Sequence, residues 1–328
     1  MSLGKVKDQH HTEDYSLFNS DCMYVMPELG DKSVDFSVYS PPFMDLYVYT
    51  SSENDFSNVD SYEQGLKQYE YLVQEIARVT KPGRITAVHC QDMPDKQGNY
   101  WDYPHEIIKI HQRNGFKHKN RITIWKEPLK VRIRTMMRSL MHKFIVEDST
   151  KSFTAMPDYI LLFKRDGENE VPVTHPNGLS YYAGANPMLP EMEEKYGSFQ
   201  DIKKKYSDHK DPKTNKLSHI IWQRYASSVW DDIRINNVLS YKESKDEDDE
   251  KHVHPLQLDV IDRLVDLYTN KGEVVLTPFM GVGSEVFSPV SLGRKGIGIE
   301  LKESYYRQAV KNLADAKERF KEDQLSLI

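Results

Sequence analysis

The chain has 328 residues, of which 38% are hydrophobic and 29% are charged, so it can bury a large core under a polar surface. A net charge of −6 excludes a bulk-basic nucleic-acid binder but leaves room for a local basic face. The two cysteines, Cys22 and Cys90, exclude a disulfide scaffold and favour a reducing cytoplasm. No apolar run reaches the roughly 18 residues of a membrane helix, and residues 1–14 lack a signal-peptide core, so we expect neither membrane insertion nor secretion.

The sequence pattern divides the chain into three parts. Residues 1–165 contain alternating strand-like and helix-like segments from residue 15 onward, residues 166–252 are polar and rich in turn formers, and residues 253–328 return to the alternation. Alternating strands and helices are typical of a doubly wound α/β sheet. We therefore predict two halves of one α/β domain, separated by an irregular inserted region and a linker.

In the first part, Val34 to Tyr39 alternates apolar and polar residues and predicts a strand. The prolines of Ser40-Pro41-Pro42-Phe43 must end it, because neither can donate to a ladder. Ser61 and Gln64 form a capping-box pair before a helix that Pro82-Gly83 is expected to end. Further segments are predicted as strands at 85–89, 122–125 and 159–163, and as a helix at 105–112.

The last part repeats the alternation around a glycine-rich turn. The predicted elements are a helix after His254-Pro255, a strand at 274–276, a turn at 278–283, a helix at 285–292, a strand at 296–300 and a final helix from Ser304 to Phe320.

The turn at Gly281 and Gly283 stands between a strand and a helix, and the next strand ends in Glu300. Glycine lets the backbone approach a ligand, a helix N-terminus offers free N–H groups, and an acid at the next strand end can accept both hydroxyls of a ribose. Dinucleotide and S-adenosylmethionine folds share this plan, although Val286 replaces the third glycine of the dinucleotide fingerprint. A simple tight turn with a surface glutamate is the alternative.

The segment Ser40-Pro41-Pro42-Phe43 follows a strand, where open α/β sheets bind their ligands. Ser40 and the Pro41 carbonyl could accept the two hydrogens of an amine on an aromatic base and release its lone pair for attack on an electrophilic methyl group. Phe43 would stack on the base. A strand-ending proline turn with a core phenylalanine is the alternative.

Together these segments resemble the amino-group DNA methyltransferases. Ser40 to Phe43 looks like their motif IV, and the stretch from His254-Pro255-Leu256-Gln257 through Pro278 to Gly283 and on to Glu300 looks like their motifs X, I and II. The catalytic motif precedes the cofactor motif in the chain, and this order resembles that of the permuted β class. The sequence of the C-terminal stretch is similar to that of phage and prophage methylases. The resemblance implies a Rossmann-like, mixed seven-stranded sheet in a three-layer αβα sandwich, with an inserted target-recognition region.

The same resemblance implies S-adenosylmethionine as cofactor and assigns roles to individual residues. Asp21 would hold the adenine and Glu300 the ribose. The residues assigned to the methionine end are His254, Pro255, Thr277, Phe279, Gly281, Gly283 and Ser284, and those of the catalytic loop are Ser40, Pro41, Pro42 and Phe43. Thr277 stands where the family usually has Asp, and Ser284-Glu285 replaces a threonine pair, so a weak or inactive enzyme stays an alternative.

The target base is inferred from Ser40. Serine at this position is similar to the N4-cytosine enzymes, whereas Asp is commoner among the N6-adenine ones, so we favour cytosine N4 and keep adenine N6 open. Hydrogen bonding does not decide, because both amines offer two hydrogens. Methylation at cytosine C5 needs a Cys nucleophile, and Cys90 lies in His89-Cys90-Gln91 rather than in that family's Pro-Cys-Gln motif.

Double-stranded DNA is the expected partner, and the target base must be flipped out of it. The charged residues of segment 117–143 are almost all basic. We predict that its part from Lys130 to Lys143 binds DNA phosphates. The alternative is a solvent-exposed basic helix. The predicted DNA-binding residues are Lys130, Arg132, Arg134, Arg138 and Lys143. Residues 166–240 are the candidate for sequence readout, and no metal is predicted.

Two other classes stay open at this point. A nicotinamide oxidoreductase would use the same Gly-x-Gly turn but would leave Ser40-Pro41-Pro42-Phe43 unexplained. A decayed methylase that only binds DNA would fit Thr277. The sequence does not fix the oligomeric state, so a homodimer and a partner endonuclease both stay open.

Overall fold

The computed structural model describes residues 5–42, 59, 61–94, 100–135, 138–244 and 255–316. The strands are β1 (Asp8–His11), β2 (Tyr15–Asn19), β3 (Val34–Tyr39), β4 (Thr80–Cys90), β5 (Met93–Pro94), β6 (Tyr100–Trp101), β7 (Phe116–Ile124), β8 (Asp158–Arg165), β9 (Val229–Trp230), β10 (Val274–Thr277) and β11 (Lys295–Glu300). The helices are α1 (Cys22–Val25), α2 (Tyr62–Val79), α3 (Tyr103–Arg113), α4 (Pro128–Thr135), α5 (Lys143–Glu147), α6 (Pro190–Tyr196), α7 (Phe199–Tyr206), α8 (Lys216–Tyr225), α9 (Leu258–Tyr268), α10 (Ser284–Ser291) and α11 (Glu303–Leu313).

One mixed sheet organises the chain, with the strand order β1-β2-β11-β10-β3-β4-β8-β7-β9. The five strands from β2 to β4 in this order are parallel, and β8 runs antiparallel to both of its neighbours. The predicted mixed sheet is confirmed, but its count of seven strands is wrong, because nine strands are paired in this sheet among the described residues. The two extra strands are at the edges: β1 is short and polar, and β9 has two residues, so neither has a periodic apolar pattern.

Helices cover both faces of the sheet, which gives the three layers that the resemblance implies. On β8, Leu161 and Phe163 pack in a core with residues of α2 and α3, whereas Ile160 and Leu162 pack in a second core with residues of α9. A third core joins β2 to α10 and α11. The central strands are therefore buried on both faces, as parallel strands covered by crossover helices must be.

Helix α2 begins where its capping residue predicts but ends earlier than expected. The Ser61 hydroxyl accepts a hydrogen bond from the backbone N–H of Gln64 at 3.3 Å. The helix ends at Val79, and Pro82 and Gly83 lie inside β4, so the expectation that they end the helix is wrong. The chain passes directly from helix to strand at Thr80, whose hydroxyl donates to the Ile76 carbonyl at 2.6 Å.

The inserted region contains more regular structure than its composition indicates, because α6, α7 and α8 lie within it and share a small core. It is tied to the sheet domain by Arg263 of α9, whose side chain is fully buried. The guanidinium lies 5.0–5.2 Å from the ring centres of Tyr182, Tyr225 and Trp230 and 2.7 Å from an Asp232 oxygen. Across the described ranges, no helix is long and apolar enough to cross a membrane.

Candidate active site

Those predicted site residues that the structure describes lie at one edge of the sheet. The parallel strands β2, β11, β10 and β3 lead at their carboxyl ends to Asp21, Glu300, Thr277 and Ser40 respectively, and β4 carries His89 beside its end. Open α/β sheets bind their ligands at this edge. The fold therefore brings Ser40 of the catalytic set and Asp21, Thr277 and Glu300 of the cofactor set to neighbouring strand ends.

The glycine turn is fixed to the neighbouring strand end by Glu300. One carboxylate oxygen accepts the Gly281 N–H at 2.9 Å, and the other accepts the Lys302 N–H at 2.8 Å. Gly281 has a φ of +51°, and apart from its chain neighbours no described residue has an atom within 4 Å of where its Cβ would be, so the backbone is open on that side within the described structure. A carboxylate oxygen can accept more than one hydrogen bond, so a ribose hydroxyl is a chemically suitable additional donor to this group.

The residues beneath this turn fit a polar cofactor. The side-chain oxygens of Thr277 and Ser284 are buried and have no hydrogen-bond partner among the described residues. Buried hydroxyls are normally paired, so two unpaired ones next to an open turn are the arrangement expected where a ligand supplies the partner. Phe279 packs beside Tyr39, with ring centres 6.1 Å apart.

Asp21 has a structural contact as well as its predicted adenine contact. It caps α1, and its carboxylate accepts the Met23 N–H at 2.8 Å. Burial raises the pKa of this carboxyl. Pro255 is half-buried ahead of α9, whereas His254 lies outside the described residues.

Glu285, one of the departures from the family pattern, is buried at the start of α10. Burial first, and then the nearby Glu300, raise the pKa of Glu285 to about 8. Its carboxyl is therefore mostly protonated at neutral pH and adds little negative charge to the turn.

The catalytic loop begins immediately after β3. Pro41 is buried, and the Tyr103 hydroxyl at the start of α3 donates to the Pro42 carbonyl at 3.1 Å. These contacts fix the direction of the proline backbone beside Ser40. Phe43, the predicted stacking residue, lies outside the described residues.

Ser40 begins a chain of polar contacts that sequence reasoning missed. Its Oγ lies 2.8 Å from Nδ1 of His89, and Nε2 of His89 lies 3.2 Å from Oδ2 of Asp158. The other carboxylate oxygen, Oδ1, pairs with the Lys126 ammonium at 2.5 Å. Burial alone would raise the pKa of Asp158, but Lys126 and His89 hold it well below its usual range. We call these four residues the Ser40 chain.

Only part of the Ser40 chain could be found in the sequence. His89 lies at the end of the predicted strand 85–89, so the sequence pattern could have identified it as a candidate site residue. Asp158 is the first residue of β8, and it reaches this edge because β8 is antiparallel to β4, which the sequence pattern does not reveal. Lys126 was grouped with the basic segment, but its ammonium is paired with Asp158.

Within the basic segment, Lys130 and Arg132 lie on α4 and Lys143 is the first residue of α5. Lys130 and Lys143 are exposed, and Arg132 is half-buried. The side chains of Arg134 and Arg138 lie outside what the structure describes. Phosphate binding by these five residues stays a prediction.

Both cysteines are buried, and burial raises the pKa of each thiol. Neither is therefore set up as a thiolate nucleophile, which agrees with the exclusion of C5 chemistry.

The DNA methylase family model matches residues 34–311, which include both the catalytic loop and the glycine turn. The chain belongs to the DNA methylase family. The predicted amino-group methyltransferase family is thus confirmed, and the oxidoreductase alternative is not supported. S-adenosylmethionine, the predicted cofactor, agrees with this family and with the residues around the turn. The β-class order and the likeness to phage methylases stay predictions.

Curated relatives of this methylase are distant. The Type II methyltransferase M.BamHI of Bacillus amyloliquefaciens is 24% identical over 300 residues, covering 92% of this chain and 57% of that protein. M.MthZI of Methanothermobacter thermautotrophicus is 21% identical over 299 residues, covering 85% of this chain and 71% of that protein. The chain thus spans little more than half the length of M.BamHI.

Solved structures show that the fold is shared. A proposed DNA modification methylase from Thermus thermophilus has a TM-score of 0.59 and 20% identity, covering 93% of this chain and 95% of that one. The same Thermus protein has also been solved with S-adenosylmethionine bound. The PvuII DNA methyltransferase, described as cytosine-N4-specific, has a TM-score of 0.57 and 12% identity over 96% of both chains. The predicted methyltransferase fold is confirmed.

Proposed function

We propose that this methylase transfers a methyl group from S-adenosylmethionine to the exocyclic amine of a flipped base in double-stranded DNA, with cytosine N4 favoured over adenine N6. The observation that carries the proposal is the position of Ser40 at a strand end beside the Glu300–Gly281 turn, on the same edge of one sheet.

The residues of the catalytic loop would activate the amine. An amine conjugated to an aromatic ring is a poor nucleophile because its lone pair is delocalised. The Ser40 oxygen and the Pro41 carbonyl would accept its two hydrogens and favour tetrahedral nitrogen, and Phe43 would stack on the base. The bound cofactor would supply an electrophilic methyl group on a sulfonium. Glu300 would hold the ribose, and the Thr277 and Ser284 hydroxyls would bind the methionine end.

The preference for cytosine rests on Ser40. A neutral hydroxyl is the group found at this position in the N4-cytosine enzymes that the motif resembles. Cytosine N4 and adenine N6 offer the same two hydrogens, so the geometry of Ser40 accommodates either amine.

Lys130, Arg132, Arg134, Arg138 and Lys143 would contact DNA phosphates, and the helices of the inserted region would read the sequence. Phosphate contacts set affinity and register, whereas base contacts set specificity. The net charge of −6 is compatible with this, because a local basic segment suffices to bind a polyanion.

The test is to incubate the protein with S-adenosylmethionine and unmethylated genomic duplex DNA and to analyse the digested nucleosides by mass spectrometry. We expect N4-methylcytosine. N6-methyladenine would keep the mechanism and overturn the cytosine assignment. No methylated base, with cofactor binding intact, would favour the decayed, DNA-binding alternative.

Two variants test the catalytic loop. Ser40→Ala and Phe43→Ala should lose methyl transfer and keep cofactor binding, which isothermal titration measures. The matched control is Ser33→Ala, because Ser33 is an exposed serine immediately before the first residue of β3, at the end of the strand away from Ser40. Full transfer by either loop variant would show that the loop is assigned wrongly.

A further inference from the structure

The Ser40 chain connects the first residue of the proposed catalytic loop, Ser40, through His89 to the buried ion pair of Asp158 and Lys126. We propose that His89, oriented by the Asp158–Lys126 pair, accepts the proton that the target amine loses, with Ser40 as the relay between them. This rests on the proposed function, and it assigns a role to three residues that no motif of the sequence includes.

The charge on Asp158 favours one tautomer of the neutral imidazole of His89. Lys126 and His89 hold the pKa of Asp158 well below its usual range, so Asp158 is an acceptor at neutral pH. The negative charge of Asp158, whose Oδ2 lies 3.2 Å from Nε2 of His89, favours a hydrogen on that nitrogen. In the neutral imidazole Nδ1 is therefore the acceptor, and the Ser40 hydroxyl donates to it at 2.8 Å. The lone pairs of Ser40 Oγ are left to accept from the amine.

The proton balance follows from this arrangement. The amine nitrogen forms a bond to the methyl carbon, and the electron pair of the broken carbon–sulfur bond stays on sulfur. The methylated nitrogen carries a positive charge and must lose one hydrogen as a proton. Ser40 Oγ takes that proton while its own passes to Nδ1 of His89. The resulting imidazolium faces the ionised Asp158, and solvent later removes the proton.

The location of the Ser40 chain favours a role in proton transfer over a purely structural role. His89 and Asp158 are mostly buried, with side chains 12% and 7% exposed. A buried ion pair adds little net stability compared with apolar packing, so its presence at a ligand-binding edge points to a function. Its other end is Ser40, the first residue of the catalytic loop.

His89→Asn separates proton transfer from positioning. The Asn Oδ1 can accept the Ser40 hydrogen bond in place of Nδ1, but an amide cannot take up a proton. We expect single-turnover methyl transfer to fall about 100-fold, which is the low end for loss of a general base. The Kd for S-adenosylmethionine should be unchanged. His105→Asn, at an exposed histidine of α3, is the matched control.

Two further readouts do not depend on that substitution. In His89→Ala, added imidazole should restore a measurable part of the transfer rate, because a free base can replace the missing side chain. In the wild-type protein, long-range 1H–15N spectra of the His89 ring should show the Nε2–H tautomer, which Asp158→Asn should disturb. The second readout requires no turnover.

The outcomes distinguish the two levels of the proposal. A wild-type protein that methylates DNA, with His89→Asn at full rate or with an Nδ1–H tautomer, would overturn the relay and leave the proposed function standing. A wild-type protein that methylates no DNA would overturn both. Loss of rate in His89→Asn with rescue of His89→Ala by imidazole is the result we expect.

Discussion

Removal of the cation beside Asp158 is the most direct probe of the buried ion pair. In Lys126→Met the methionine keeps most of the side-chain length but leaves the Asp158 carboxylate with His89 as its remaining partner in the Ser40 chain. Because Asp158 lies at the start of β8, between β4 and β7, the carboxylate has little access to water.

The size of the effect follows from burial. Breaking a fully buried ion pair on one side costs about 3–5 kcal/mol, whereas an exposed pair contributes about 0–1 kcal/mol. The side chains of Lys126 and Asp158 are 21% and 7% exposed, which places this pair near the buried limit. We expect Lys126→Met to lower the free energy of unfolding by about 3 kcal/mol at neutral pH.

The loss should depend on pH in a defined direction. In the wild type the folded-state pKa of Asp158 is depressed, so its stabilisation is present above the usual pKa of an Asp and is lost as pH falls. Without Lys126, burial is opposed by His89 alone, so the carboxyl of the variant protonates at a higher pH than that of the wild type and the stability deficit shrinks as it does so. The difference between the two proteins is therefore largest near about pH 8 and shrinks towards about pH 5.

Thermal melts of both proteins across this pH range measure the difference. Lys130→Met, at an exposed lysine of the neighbouring helix α4, is the control and should melt with the wild type at every pH. The reasoning would be refuted if Lys126→Met were as stable as the wild type, or if its deficit were the same at both ends of the range.

Three other changes test the turn and the basic segment. Glu300→Gln should weaken S-adenosylmethionine binding about tenfold or more, because hydrogen bonds to a charged group contribute about 1.5–3 kcal/mol; titration calorimetry measures it. Gly283→Ala should destabilise the fold by about 2–4 kcal/mol in chemical denaturation, since its φ is +97° and a Cβ would lie 2.7 Å from Leu313. Lys130→Ala should weaken DNA binding for all sequences and reduce the slope of log K against log salt by about 1.

Each of these changes has a matched control. Glu303 is exposed and lies three residues after Glu300, so Glu303→Gln should leave the affinity for S-adenosylmethionine unchanged. Gly272 has a similar φ of +78°, but apart from its chain neighbours no residue in the described part of the chain has an atom within 4 Å of where its Cβ would be, so Gly272→Ala should cost only about 1 kcal/mol. Lys295 is the first residue of β11, at the end of the strand away from Glu300, so Lys295→Ala should not change DNA binding. Equal effects in a variant and its control would contradict the corresponding assignment.

Much of the sheet could be predicted because its central strands have strong apolar patterns. Val34–Tyr39, Val274–Thr277 and Lys295–Glu300 lie where their patterns placed them, and the glycines between the last two strands marked the turn. The proline pair after Tyr39 marked a strand end, which in an open α/β sheet is also the ligand edge. Local pattern and site position therefore coincide in these segments.

The remainder depends on contacts between distant parts of the chain. No local pattern reveals that β8 is antiparallel, so Asp158 could not be assigned to the edge that holds Ser40. The helices of the inserted region have only 7 to 10 residues each and lie among polar, turn-forming residues, so the small core that they share is not evident from the composition. Their link to the sheet, through the buried Arg263, pairs residues that are separated by about 30 to 80 positions.

The strand order has a consequence for how the chain folds during synthesis. β2 and β3 are close in sequence, but β11 and β10 lie between them in the sheet, and these two strands are among the last to be made. The facing edges of β2 and β3 must therefore stay without their native partners while more than 200 residues are translated. Such late, non-local pairing slows folding and exposes strand edges to aggregation. The nascent methylase thus completes the turn that would bind its cofactor only when β10 and β11 join β2 to β3 and form the continuous sheet.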